Sequence, residues 1–552
     1  MRPVLLGLLV STALAGEAVT GYRGDRNGDY PGCTPPTAWD EASKKNLAWK
    51  TVMPNWCYGS PIVVGQKVFA MSEPGWRSDF PELVCLDLAS GTILWQKPVD
   101  HLEQAVPDAA RREKIRAAWA SMLDRMRTAF NLCNESWETD PEDAAKVADI
   151  ERRAKALGGE LGDKYRKRSF GNRPNAGGYG VLRSWGASDK PGPDPKHGVT
   201  MREMKDAGLR LETFYGFGTA REGECFSTPA SDGTAVYVVT DQGAHACFDL
   251  DGNLRWLTWF KPEFDTGGHD DSICRSPLLI DGLFITDLHM DKERAAAKGR
   301  PARPNPVIAL EAATGKTVWQ VPLPMEGGRD HGCGSSKVLD VGGTRVFITC
   351  GGHVLRVKDG KPLLTMALGQ EDPCNGQTEI ATDEGSDTVF YIPGKGQGST
   401  KEVVAVTLRL SGDTLTEQER WRVPVKVVGH TLVVHQGRVY TGGDVIDIAT
   451  GAVTSWGKDQ RGINPTRWMI AVAGGHLYGL NTDGTARVFT LDGKEVAVNT
   501  VVNATSDPDL IARHLAITAN AQMDFSYAAP FTFAGDRILM RSYDHLYCFA
   551  GR

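Results

Sequence analysis

The chain has 552 residues, 24 % of them charged and 41 % hydrophobic, with a net charge of −6. So small a charge on a chain this long argues against general nucleic-acid or polyanion binding. Length alone permits several domains, and eleven cysteines, an odd number, leave at least one thiol unpaired within the chain.

In chain order, one Arg precedes an apolar run from Val4 to Ala15 that closes in Ala13-Leu14-Ala15, just ahead of Gly16. This has the form of a signal peptide over residues 1–15 and is too short to remain as a membrane span. A buried first helix is the competing reading. No later stretch approaches a second span, so the mature chain, 16–552, is expected to be exported, periplasmic or extracellular, without a transmembrane anchor.

One phrase then returns along the chain. It begins with an apolar strand ending in a turn Gly: CYGSPIVVG (Cys57 to Gly65), CFSTPASDG (Cys225 to Gly233) and CRSPLLIDG (Cys274 to Gly282). A second strand follows, as in KVFAMS, AVYVVT, LFITDL, RVFITC, TVFYIP, RVYTGG and HLYGLN. Third and fourth strands form a hairpin: CLDLASGTILW, CFDLDGNLRW and ALEAATGKTVW, with degenerate copies VIDIATGAVTSW and VFTLDGKEV. Short β-branched strands separated by Gly and Asp turns at hairpin spacing make each copy a four-stranded sheet. Such a sheet cannot bury both faces alone, so the copies must stack on one another. Trp95, Trp256, Trp319 and Trp456, which close the fourth strand, are expected to fill the wedge between neighbouring sheets.

Units start near Cys57, Cys225, Cys274, Cys333, Cys374, Gly429 and Thr466, and an eighth near Phe525 stops at HLYCFAGR without its outer strand. LAWKTV (Leu47 to Val52) supplies the missing strand and removes the open sheet edges. The expected fold is therefore an all-β, eight-bladed β-propeller of four-stranded blades, with seven blades as the alternative.

Residues 102–215 interrupt the repeats. Ile115, Trp119, Met122, Met126 and Ala129 recur at helical steps, and after Pro141 so do Val147, Ile150, Ala154, Leu157 and Leu161, predicting an inserted α-helical hairpin. It emerges either as a lid or docking arm over the channel mouth or as an ornament on the rim. Gly171 to Pro195 reads as irregular loop, and Asp291 to Pro306 as a basic surface loop.

ALEAATGKTVW and CLDLASGTILW resemble the A-x-D-x-x-T-G-K-x-x-W signature of PQQ-like repeat propellers, and YRGDRNGDYPG (Tyr22 to Gly32) followed by NLAWKTVMP looks like the start of exported bacterial members. The resemblance implies a superfamily containing quinoprotein alcohol dehydrogenases, which hold pyrroloquinoline quinone (PQQ) and calcium, and a non-enzymatic outer-membrane assembly lipoprotein. The signature residues are turn and packing residues and specify the fold, not an activity. No Cys-Cys dipeptide of the dehydrogenase kind and no C-x-x-C-H haem motif occurs.

The loops leading into the innermost strands and the second-to-third strand hairpins share one face, the channel mouth. Cys57, Cys225, Cys274, Cys333 and Cys374 fall at one equivalent place there, as metal ligands or as disulfide and packing residues. His269, Asp270, Asp271, Asp330, His331, Glu371, Asp372 and His430 accompany them. Of these, His269, Asp271, Asp330, His331, Asp372 and His430 are the ligand-binding candidates. No catalytic residue is assigned. His245, His353 and His545, which open third strands, read as solvated hairpin residues, while Cys85, Cys247 and Cys548 read as buried mid-sheet thiols.

The leading expectation is a scaffold that binds an unidentified protein or small ligand at the channel-mouth face, without nucleic acid and without quinone. The alternative is a quinoprotein-type or metal-dependent oxidoreductase that uses the Cys, His and Asp cluster with a metal ion or PQQ.

Overall fold

The computed structural model of the chain describes residues 21–24, 26–55, 57, 59–72, 79–156, 195–209, 227–240, 242–261, 276–287, 305–323, 336–349, 351–369, 380–393, 402–425, 428–456, 469–480, 484–501, 531–542 and 545–551. The leader at 1–15 lies outside them.

The strands form eight antiparallel blades that follow chain order from first strand to fourth. Blade 1, for example, runs Ile62–Val64, Lys67–Ser72, Glu82–Asp87 and Ile93–Pro98. First strands of several neighbouring blades lie against one another and so face the axis. Blade 8 holds Thr532–Ala534, Arg537–Arg541 and His545–Ala550 from the C-terminal end and Leu47–Val52 from the N-terminal end, with Val52 opposite His545 and Leu47 opposite Phe549. Eight copies and the closing strand are thus where the repeats put them, and the seven-bladed alternative is set aside.

Packing follows from burial. Second and third strands are almost continuously buried, as in VYVV of Ala235–Val239, because both faces of a blade press on neighbours. Fourth strands alternate and expose one face, as in Ile93–Pro98. The core is accordingly divided into clusters between adjacent blades rather than gathered in one centre.

A tryptophan ties most blades to the next. Trp49, Trp95, Trp256, Trp319 and Trp421 each donate Nε1–H to a main-chain carbonyl of the following blade: Leu88, Leu250, Ala312, Val357 and Ile448, at 2.8–3.3 Å. Each ring lies over the turn glycine of that blade, Gly91, Gly252, Gly315, Gly360 and Gly451, where a Cβ would strike the indole. These glycines also have positive φ, +71° at Gly315, so the turn and the docked ring both exclude a side chain there. In the hairpins carrying these tryptophans a β-bulge sits just beside the Trp, as between Cys85 and Leu86, and adds local twist to the outer strand. Blade 6 has no such register shift, and Trp456 stands one position later yet still covers Gly493. Blades 4 and 7 carry Leu364 and Ala497 at the Trp position. Trp49 and Trp421 extend the set of four tryptophans read from the sequence.

The insertion contains α1 (Leu102–Ala105), α2 (Ala109–Glu138), α3 (Ala144–Ala156) and α4 (Met201–Asp206). Ile115, Trp119, Met122, Ile150 and Ala154 are buried, as their spacing predicts. Asp108 caps α2 by accepting from the Arg111 amide at 2.7 Å, and α4 carries a capping box between Thr200 and Glu203. Trp119 donates to the Asp79 carbonyl, while Gln104 bonds the main chain of Leu257 and Trp259. The helices therefore dock on the outer part of blades 1 and 2 on the mouth side, which is the rim position.

Candidate functional site in the central bore

The N-terminal segment 21–36 fills the bore. Its Asp29–Tyr30 strand pairs in parallel with Met469–Ala473, the first strand of blade 7, on the side facing the axis. Before it the chain turns back on itself, with the amides of Arg26 and Gly28 donating to the Arg23 carbonyl. Gly28 has φ of +82°, and a Cβ there would collide with the Arg23 guanidinium that folds across it.

Six blades hold this plug. Arg23, 2 % exposed, donates to the carbonyls of Leu432 in blade 6 and Ile470 in blade 7, at 3.1 and 3.0 Å. Arg26 donates to Pro277 of blade 3 and Ser336 of blade 4, and Lys337 donates back to the Arg26 carbonyl. Asn27 accepts from the Thr382 amide of blade 5 at 3.0 Å. Asp29 meets His435 of blade 6 at 2.8 Å, and Tyr30 donates to the Phe531 carbonyl of blade 8. Main-chain carbonyls of the first strands are thus met by guanidinium donors, Arg23 buried and Arg26 half-buried.

Both ends of the plug lie toward the face opposite the mouth, the face of the first-to-second strand turns. Thr34 donates its amide to Gly535 in such a turn, and Gly21 and Gly24 share a cavity of about 490 Å³ with Asp232, Asp281 and Gly282 of two others. A second cavity, about 570 Å³, lies between Arg26, Asn27 and Asp29 and the turns of blades 4 to 6. Both of these cavities open on the turn face.

Of the residues expected at the mouth, His269, Asp271, Asp330, His331 and Asp372, with Cys225, Cys274, Cys333 and Cys374, fall outside the described residues. His430 is placed only as backbone, within Val428–His435. Cys57 is 1 % exposed and belongs to the core between blades, its Sγ accepting from the Gly59 amide at 3.2 Å. Beside it Arg541 is fully buried and donates to the carbonyls of Asn55 and Cys57, joining blade 8 to blade 1. Hydroxyls stitch the first strands together: the Ser60 amide donates to Thr228 Oγ1, the Thr228 amide to Ser276 Oγ, and Thr532 Oγ1 to the Pro61 carbonyl.

Two hairpin histidines differ from the expectation. His245 is 0 % exposed, its Nε2 2.9 Å from Thr286 Oγ1, and burial pushes its pKa down to about 4. His545 is also buried, and His353 is half-buried. His245 starts a strand whose end is covered by Thr286 and Phe284 of the next blade, so the hairpin position does not bring solvent there. Cys85, Cys247 and Cys548 are buried free thiols as expected, and burial pushes them up to about 12, 11 and 11. Among the described residues no three His, Cys, Asp or Glu side chains are arranged to hold a metal ion, and the plug takes the axial space.

The sequence reading passed over the plug, Arg541 and the Asp29–His435 pair. Two Arg and two Asp packed among glycines in Tyr22 to Gly32, ahead of any repeat, were the available signal.

No family model matches the chain, and no curated protein matches it. Solved structures similar to it include BamB from Moraxella catarrhalis, 13 % identical over 59 % of this chain and 83 % of that one, with a TM-score of 0.38. The quinohemoprotein alcohol dehydrogenase ADHIIG from Pseudomonas putida HK5 is 9 % identical over 94 % and 80 %, with a TM-score of 0.36. That from Comamonas testosteroni is 11 % identical over 97 % and 80 %, also with a TM-score of 0.36. Likeness of this degree says nothing of activity, and the eight-bladed architecture rests on the strand pairing itself. Among the described residues no helix is long and apolar enough to cross a membrane.

Proposed function

We propose that the chain is an exported propeller that works by binding, engaging a protein or a small ligand at the mouth face without a resident quinone. The observation that supports this reading is the plug. Arg23 and Arg26 inside the bore are engaged with main-chain carbonyls, so the axial interior is built as a support, and recognition is assigned to the mouth face. His269, Asp271, Asp330, His331, Asp372 and His430 are the residues assigned to that recognition, and the helical insertion on the mouth-side rim of blades 1 and 2 extends the same face. The apolar leader ending at Ala15 supports export.

The test is an assay of the purified mature chain with alcohols and sugars in the presence of PQQ and calcium, alongside metal analysis and thiol counting. The expected result is no turnover and no stoichiometric metal. Turnover that needs the quinone, or one metal per chain lost on alanine substitution at Cys225 and Cys274, would overturn the binding reading in favour of an oxidoreductase.

A further inference from the structure

Asn27 and Gly28 form an Asn-Gly pair in the middle of the plug. In such a pair the main-chain nitrogen after the asparagine has no Cβ beside it, so it can reach the asparagine's own Cγ. A new C–N bond then closes a five-membered imide while the Cγ–Nδ2 bond breaks, and the departing nitrogen takes up the amide proton and leaves as ammonia. Water opens the imide in one of two ways. Opening at Cγ gives aspartate, whereas opening at the main-chain carbonyl gives isoaspartate, whose main chain runs through the former side chain and is one methylene longer.

In the docked plug each reacting group is held in another bond. The Gly28 amide donates to the Arg23 carbonyl at 3.1 Å, and the Asn27 side-chain oxygen accepts from the Thr382 amide of blade 5 at 3.0 Å. Gly28 is buried, and its own carbonyl accepts from the Val472 amide at 2.8 Å. No larger residue can shield the pair, because φ at Gly28 is +82° and a Cβ there would strike the Arg23 guanidinium. Asn27 lines the cavity of about 570 Å³ on the turn face, which gives water a route to it.

We propose that Asn27 is a modification site, converted to aspartate and isoaspartate when the plug leaves the bore, and that the isoaspartate form does not dock again. The hydrogen bonds of Gly28 and Asn27, rather than exclusion of water, hold the reaction back while the plug is in place. Aspartate keeps an oxygen for the Thr382 amide and can return. Isoaspartate lengthens the chain between Arg23 and Gly28, so the turn onto the Arg23 carbonyl and the pairing of Asp29 with Val472 no longer fit together. The plug thus carries a one-way record of its own release.

Holding the full mature chain at pH 8, in native buffer and in guanidinium chloride, tests the site. The tryptic peptide 27–44 is followed by mass spectrometry, with fragmentation that separates aspartate from isoaspartate. Conversion about tenfold or more slower in native buffer is expected, since it waits on local opening. The converted material is then refolded and treated briefly with trypsin. Chains with asparagine or aspartate at position 27 are expected to resist cutting after Arg23 and Arg26, and those with isoaspartate to be cut. Equal conversion in the two solvents would overturn the proposal, as would isoaspartate chains that resist trypsin as well as asparagine chains do.

Discussion

The Tyr30 hydroxyl donates to the Phe531 carbonyl at 3.0 Å, joining residues 501 positions apart. Tyr30 also meets the Phe533 ring edge-on, with centroids 4.9 Å apart, so the plug is packed into blade 8 as well as bonded to it. Residues 21–36 thereby hold first strands that have no covalent link across the bore.

Arg23→Ala is expected to lower unfolding free energy by about 3 kcal/mol, because a buried ionic donor to two carbonyls is lost and its space left empty. Urea denaturation followed by tryptophan fluorescence measures this. Stability within about 0.5 kcal/mol of wild type would mean that the plug only rests in the bore.

Trp256→Ala removes an indole that is 8 % exposed together with its bond to Ala312, and a loss of about 3–5 kcal/mol is expected. Gly315→Ala acts on the same contact from the other side and should also destabilise, through positive φ and the clash with Trp256. Leu364→Ala, at the corresponding place in blade 4, is half-buried and should cost less. Thermal melts of the three variants rank them.

His101 and His245 give a pH dependence of definite sign. Burial lowers both pKa values from 6.5 to about 4, so the unfolded chain binds more protons than the folded one between those values. Their contribution to stability is full above about pH 6.5, declines as pH falls toward 4, and changes no further below that. His101 stacks on Trp259 and bonds the Ala207 carbonyl, so it joins the insertion to blade 2. Hydrogen-exchange protection factors in α1 and α4, corrected for the pH dependence of intrinsic exchange, should fall from pH 7 to pH 4.5, and His101→Gln should flatten that trend.

Cys85, Cys247 and Cys548 should react with a thiol reagent only after unfolding, since burial both shields them and holds them protonated. Counting modified residues by mass spectrometry at pH 8, before and after denaturant, checks this. Modification of any of the three within minutes in native buffer would contradict their placement inside the blades.

The repeats made the blades legible because strand period, turn glycine and closing Trp agree within each copy. Leu47 to Val52 could be assigned to blade 8 for the same reason: it looks like a fourth strand lacking the other three. Trp421 was harder, since the long hairpin Glu402–Ser411 to Thr414–Pro424 moves it away from the usual spacing after the turn. The plug follows no repeat, and its residues are explained only by carbonyls that belong to six separate blades. Solvent exposure of His245 was misjudged because a hairpin position fixes the strand end but not what the neighbouring blade lays over it. Of the mouth residues chosen from the sequence, Cys57 alone has a described side chain, and it lies buried between blades.

The closing strand Leu47–Val52 also sets an order of events. A ribosome makes this segment and the plug before any of their partners in blade 8, whose first described residue is Phe531. Leu47–Val52 must stay unpaired until the third strand of blade 8 has been made, and long-range closure of this kind is slow. Truncation that removes the strand His545–Ala550 would strand both ends at once, leaving Leu47–Val52 as an unsatisfied edge open to pairing with another molecule.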